Sequence, residues 1–266
     1  MIETFDKLRA ILWRDLLTAV RHRSGFVVTI VGVFTELTAF YFLSRAIGPS
    51  FRPGGEDYFP YLLVGTGLYT FFVMSAQAFF SSVQEAQQTG TLEVLMTTST
   101  APAELIVLSS ISSFAGNLIH LLIFGLVGTT VFRAATRANW TSCSIVLVCC
   151  IAIALAIGVA AAALQVAFQK GTALIWLLSS GVWFLSGTLF PITTLPPALQ
   201  FIARNLPLTH AIDGMRKALL DGQPPTLLRT DLSILAAFSV TLLPLSLLAL
   251  SFALRRARQN GTLSFY

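Results

Sequence analysis

SCSIVLVCCIAIALAIGVAAAALQVAF, residues 142–168, contains no Asp, Glu, Lys, Arg or His. At about 1.5 Å per helical residue, such a run outreaches the roughly 30 Å hydrocarbon layer of a bilayer. Lipid offers no partner for backbone N–H and C=O groups, so a spanning segment must be a helix or part of a closed barrel. The run is continuously apolar and lacks the period-two alternation of a barrel strand, which leaves the helix. Working outward, comparable runs lie at 26–47, 58–82, 105–132, 172–192 and 231–254. The expected fold is an all-α integral membrane protein with six transmembrane helices.

Composition agrees. Of the 266 residues, 55% are hydrophobic and only 11% are charged, against roughly a quarter charged in a soluble domain. Mean hydropathy is +0.77. The net charge of +5 comes without a dense Lys/Arg run, as expected for basic residues bordering membrane spans and not for a nucleic-acid footprint. Cys143, Cys149 and Cys150 sit in or beside one apolar run with no His or carboxylate at ligand spacing, so buried thiols are expected there and not a metal site. The first 25 residues lack the apolar core and small-residue cleavage site of a signal peptide. A single transmembrane domain over residues 1–266 is the expectation.

Within residues 1–25, Ile2, Phe5, Leu8, Leu12, Leu16 and Ala19 recur every three or four positions, with Lys7, Arg9, Arg14 and Arg21 largely off that stripe. This pattern predicts an amphipathic helix in the membrane interface. Residues 26–192 then hold the first five spans, 193–230 an outer segment, and 231–266 the last span and tail. Both tails are basic, through Arg21 and Arg23 at one end and Arg255, Arg256 and Arg258 at the other, which places both termini in the cytoplasm. The middle is less one-sided: 83–104 has no Lys or Arg, whereas 193–230 has Arg204, Arg216, Lys217 and Arg229. Ala154, Gly158 and Ala162 form a small-xxx-small ladder for close helix approach, within the subunit or across a dimer. Pro244 predicts a kink in the last span.

Ionisable residues inside spans are functional suspects, and away from the span ends here they are Glu36 and His120. They are the one candidate ion site for a transporter or channel acting without an ATPase. No phosphate-cradling Gly-rich loop with a following Lys-Ser/Thr occurs, so any ATP is hydrolysed on another chain. No Gly-x-Ser-x-Gly elbow or His-Glu-x-x-His pair occurs either, and His22, His120 and His210 are scattered; no catalytic residue, metal or bound cofactor is expected. Phe71, Phe72, Phe79, Phe80, Trp176 and Trp183 could line a path for sugars or acyl chains, though packing and lipid-facing roles are commoner.

Two segments remain. In residues 84–99, QEAQQTGTLEVLMTTS, Gly90 breaks one helix and Leu92, Leu95 and Met96 make one apolar face of a short next one. A cytoplasmic surface helix results, able to rest on lipid or to fill a partner's groove. From Phe190-Pro191 to Arg216, the prolines forbid one continuous helix, while Leu199, Phe201 and Ile202 are apolar enough to dip into the interface. A re-entrant hairpin at the outer face is expected before the last span.

Together these segments resemble the permease subunits of the ABC-2 export family, which includes polysaccharide, teichoic-acid, lipo-oligosaccharide and drug exporters. The family's cytoplasmic signature is matched by Gly90, Thr91, Leu92, Glu93, Leu95 and Thr98, with Ser99 where a proline is usual. Its outer signature is matched by Phe190, Pro191, Leu195, Pro196, Pro207, Thr209, Asp213 and Arg216, with Leu206 in the usual asparagine position. The stretch Leu185 to Pro191 is nearer the lipo-oligosaccharide and drug-exporter branches. The resemblance implies a bacterial plasma (inner) membrane protein, working as a homodimer or related heterodimer on two ATP-binding subunits that carry ATP and Mg. It further implies that residues around Gly90–Thr98, Met96 included, form the coupling helix docking into the ATPase. A secondary transporter or channel is the alternative.

Overall fold

The computed structural model describes residues 23–92, 102–134, 136–168 and 172–260. Among them are eight α-helices and no strand: α1 Arg23–Ile47, α2 Tyr58–Gln88, α3 Pro102–Thr130, α4 Trp140–Phe168, α5 Thr172–Leu185, α6 Pro197–Arg204, α7 Pro207–Leu219 and α8 Arg229–Asn260. Short 3-10 turns at Pro53–Gly55 and Ile192–Thr194 link α1 to α2 and α5 to α6. Most of residues 1–25, and Glu93, Leu95, Met96 and Thr98, lie outside the described residues, and with them the expected interface helix and most of the coupling helix.

Among the described residues, five helices are long and apolar enough to cross a membrane: Val27–Ile47, Tyr58–Gln88, Ala103–Thr130, Trp140–Phe168 and Arg229–Gln259. They coincide with five of the six expected runs. The remaining one, expected at 172–192, differs: α5 has 14 residues and ends at Leu185. Fourteen residues rise only about 21 Å, short of the hydrocarbon thickness. The chain leaves the helix at Ser186 and Gly187, where Gly187 adopts a φ of 74° that L side chains rarely take, and Pro191 then forbids resumption.

Helix α4, apolar on all sides as a membrane span can be, has α2 and α8 packed along it. Lipid is as apolar as a leucine side chain, so close approach must come from shape. The Ala154–Gly158–Ala162 ladder supplies it inside the subunit: Ala154 and Ala162 are fully buried, and a Cβ on Gly158 would meet the Phe79 ring of α2 at 2.5 Å. Phe71, Phe72, Phe79 and Phe80 are likewise core residues, whereas Trp176 projects into the surroundings and Trp183 lies 6.2 Å from Tyr69. Cys143 and Cys150 are buried along α4, and Cys149 is half-buried. The long α8 continues through Pro244.

One end of the bundle gathers the loops 48–57 and 131–139 with α7. Backbone N–H groups of Arg137 and Asn139 donate to the carbonyls of Leu219 and Ala218, at 3.1 and 3.0 Å, and Ser142 Oγ donates to the Gln223 carbonyl at 2.7 Å. Lys217 Nζ meets Asp231 at 2.6 Å, tying α7 to α8. At the opposite end, Gln165 Nε2 of α4 donates to Gln87 Oε1 of α2 at 2.9 Å, both side chains being buried.

Candidate functional site

Residues 193–230, expected as a re-entrant hairpin, hold two short helices of opposite character. Prolines start both: Pro197 and Pro207 occupy first-turn positions, where a missing N–H costs nothing and the fixed φ suits a helix. Leu195 and Pro196 belong to the turn before α6, closed by Gln200 Nε2 donating to the Leu195 carbonyl at 2.7 Å. Phe190 is half-buried, and Pro191 leads into the Ile192–Thr194 turn. The α6 helix exposes Leu199, Phe201 and Ile202 to the surroundings. The α7 helix instead inserts among α2, α4 and α8, burying Leu208, Thr209, Ala211, Ile212, Met215 and Arg216.

A guanidinium cannot enter such a core without partners. Arg216 reaches across to the broken stretch after α5 and donates from Nη1 to the Gly187 carbonyl at 3.0 Å, and from Nη2 to the carbonyls of Tyr61 and Thr188 at 3.0 and 3.2 Å. Its carbon centre lies 3.4 Å from the centroid of the Tyr61 ring, a cation–π stack in a water-poor setting. The Tyr61 hydroxyl donates to the same Gly187 carbonyl at 3.1 Å, and Tyr58 donates to the Leu189 carbonyl at 3.2 Å. Carbonyls that a continuous helix would have satisfied are thus satisfied by side chains of α2 and α7.

The close fit depends on Gly65. A Cβ there would fall 2.6 Å from Arg216 Nη2 and 2.6 Å from the Thr188 carbonyl oxygen. Ser186 and Thr188 exchange a buried hydroxyl hydrogen bond of 2.8 Å. Asp213, one turn before Arg216, stands 3.9 Å from Nη1. Burial raises the Asp213 carboxyl above the ordinary range, against the pull of Arg216 and Lys217. Burial lowers Arg216 below its ordinary value, and Tyr61 and Asp213 oppose it. Thr209 Oγ1 and Arg216 Nε are buried without a hydrogen-bond partner.

Of the expected outer residues, Arg216 and Asp213 are therefore brought to the stretch that precedes Phe190 and Pro191, while Leu195, Pro196 and Pro207 shape the path between. Tyr58, Tyr61 and Gly65 were missed in the sequence. Their spacing, three and then four residues apart at the head of a span, puts them on one helix face and could have pointed to them.

In the first of the two signature segments, Gly90 has a φ of 68° and Thr91 starts a new helical turn. Leu92 is fully buried in the chain's own core, among residues such as Val83, Ile106 and Val166. Its apolar surface is spent inside the subunit and is not free to fill a partner's groove. Glu36 and His120 are both half-buried and are not joined to each other; His120 stacks near Phe124, ring centroids 6.4 Å apart. Among the described residues, no group of three His, Cys, Asp or Glu is placed to hold a metal ion.

A family model described as ABC-2 type transporter matches residues 6–220. Two curated relatives are similar over shorter stretches. Nodulation protein J of Rhizobium leguminosarum bv. viciae is 56% identical over 41 residues, 15% of each chain. Nodulation protein J of Rhizobium meliloti (strain 1021) is 40% identical over 57 residues, 21% of each chain.

Proposed function

Because the chain belongs to the ABC-2 type transporter family, we propose that it is the membrane-spanning subunit of an ATP-driven ABC exporter. It forms the translocation path for an amphipathic, lipid-linked or drug-like substrate, and a separate ATP-binding subunit hydrolyses ATP. The match over residues 6–220 carries the reading, since that interval contains both signature segments. Similarity to two nodulation proteins J is in keeping with it. The exposed apolar face of α6 favours a substrate with a lipid-soluble part.

In this reading two permease copies, identical or related, sit on two ATP-binding subunits in the bacterial inner membrane, with both termini cytoplasmic and the α7 end outward. ATP binding draws the ATPases together, the segment around Gly90–Thr98 follows them, and the path opens outward. Leu92 gives that movement a direct purchase on α2 and α4, because its side chain is already part of their shared core. Leu95, Met96 and Glu93 supply the docking surface.

The test is to purify the tagged chain from its native membrane and assay the preparation for vanadate-sensitive ATP hydrolysis. A co-purifying ATPase whose transport activity disappears in Leu95→Asp, with membrane insertion intact, supports the proposal. Normal transport by that variant would sink the coupling assignment, and a chain that purifies alone while its transport persists under ATP depletion would favour a secondary transporter.

A further inference from the structure

At the α7 end, a cleft of about 450 Å³ opens between the C-terminal turn of α1, the loop 48–57, the start of α2 and the exit of α3. That volume lies within the usual range for small-ligand sites. Arg45, Arg52, Arg133 and Asp57 line it, so two positive charges are left unmatched. Aromatic walls come from Tyr41, Phe51, Tyr58, Phe59 and Phe132.

The three arginines are held differently. Arg45 donates from Nη2 to the Tyr41 hydroxyl at 2.9 Å and lies 5.4 Å from that ring's centroid, a neutral partner that orients the fork without discharging it. Arg52 pairs with Asp57 at 3.3 Å, both well exposed, which is a weak and readily exchanged contact. Arg133 has no ion-pair partner among the described residues. Its φ of 51° makes it the one described non-glycine residue with positive φ. A helix exit of this kind ordinarily takes glycine. Here the chain tolerates an unfavourable backbone where Arg133 lines the cleft.

We propose that this cleft binds a phosphate group, carried by the headgroup of an amphipathic molecule or free in solution. Guanidinium forks match phosphate oxygens in pairs, and tyrosines such as Tyr41 and Tyr58 are enriched at headgroup depth. Phe42, Ile47 and Val131, each next in sequence to a residue lining the cleft, are exposed and apolar and offer a surface for an attached hydrocarbon chain. Such a site does not require that the chain be an exporter.

Native mass spectrometry of the delipidated full-length chain tests it, with dioleoyl phosphatidylglycerol, dioleoylglycerol and inorganic phosphate as probes. Phosphatidylglycerol is expected to be retained at least about tenfold better than dioleoylglycerol, with about tenfold loss in Arg45→Gln/Arg133→Gln. Arg133→Lys, which keeps the charge and loses the paired donors, is expected to retain only part of the binding. Failure of millimolar inorganic phosphate to displace the lipid assigns the site to a lipid headgroup, and full displacement assigns it to free phosphate. Equal retention of the two lipids, or unchanged binding in a double variant whose thermal melt matches the parent, overturns the proposal.

Discussion

Arg216 carries its charge into the bundle and distributes it over three carbonyl oxygens and one ring. A lysine ammonium cannot present two arms along that line while stacking flat, so Arg216→Lys is not conservative here. It is expected to lower stability by about 3 kcal/mol, read as an earlier thermal melt in detergent. Gly65→Ala places a methyl group against both Arg216 Nη2 and the Thr188 carbonyl, for a further expected loss of about 1–3 kcal/mol. The two losses should be less than additive, since they strike one arrangement. In the sequence, Arg216 stood out only as part of a resembling motif. Its target was illegible because the partners are backbone carbonyls, which no residue type announces.

Helices were legible wherever an apolar run exceeded the membrane's thickness, as in α4, because length and hydropathy suffice to specify a span. Where the run at 172–192 contained Gly187, the same reasoning overshot: a glycine is compatible with a helix, and only the carbonyl partners on α2 and α7 make the break favourable. A second polar arrangement inside apolar helices is the pair Gln87 and Gln165, joined by one hydrogen bond while Gln87 Nε2 and Gln165 Oε1 remain unpartnered. Removing one member strands the other. Gln87→Met alone is therefore expected to destabilise α2 against α4 by about 1–3 kcal/mol, and Gln87→Met/Gln165→Met to restore most of the loss. If the double variant melts below the single one, the pair contributes more than its one bond.

One carboxyl in the loops at the α7 end gives stability a dependence on pH. Burial first, and then the facing Asp221 carboxylate, raise Glu56 above the ordinary carboxylate range, so the folded protein holds that proton more tightly than the unfolded chain does. Its contribution is fully present below the ordinary range and is lost as pH rises through the raised value. Thermal melts should accordingly be higher at pH 5 than at pH 7.5, and Glu56→Gln should flatten that difference and raise the melt at pH 7.5. The long reach of Arg216 has a consequence for how the protein is made. Arg216 lies 155 residues after Tyr61, whose carbonyl it reaches, and at roughly 5–20 residues per second it is synthesised on the order of 8–30 s later. Through that interval the nascent chain has its central helices without their keystone, and the ribosome's pace, more than the chain's own collapse, decides when the bundle locks.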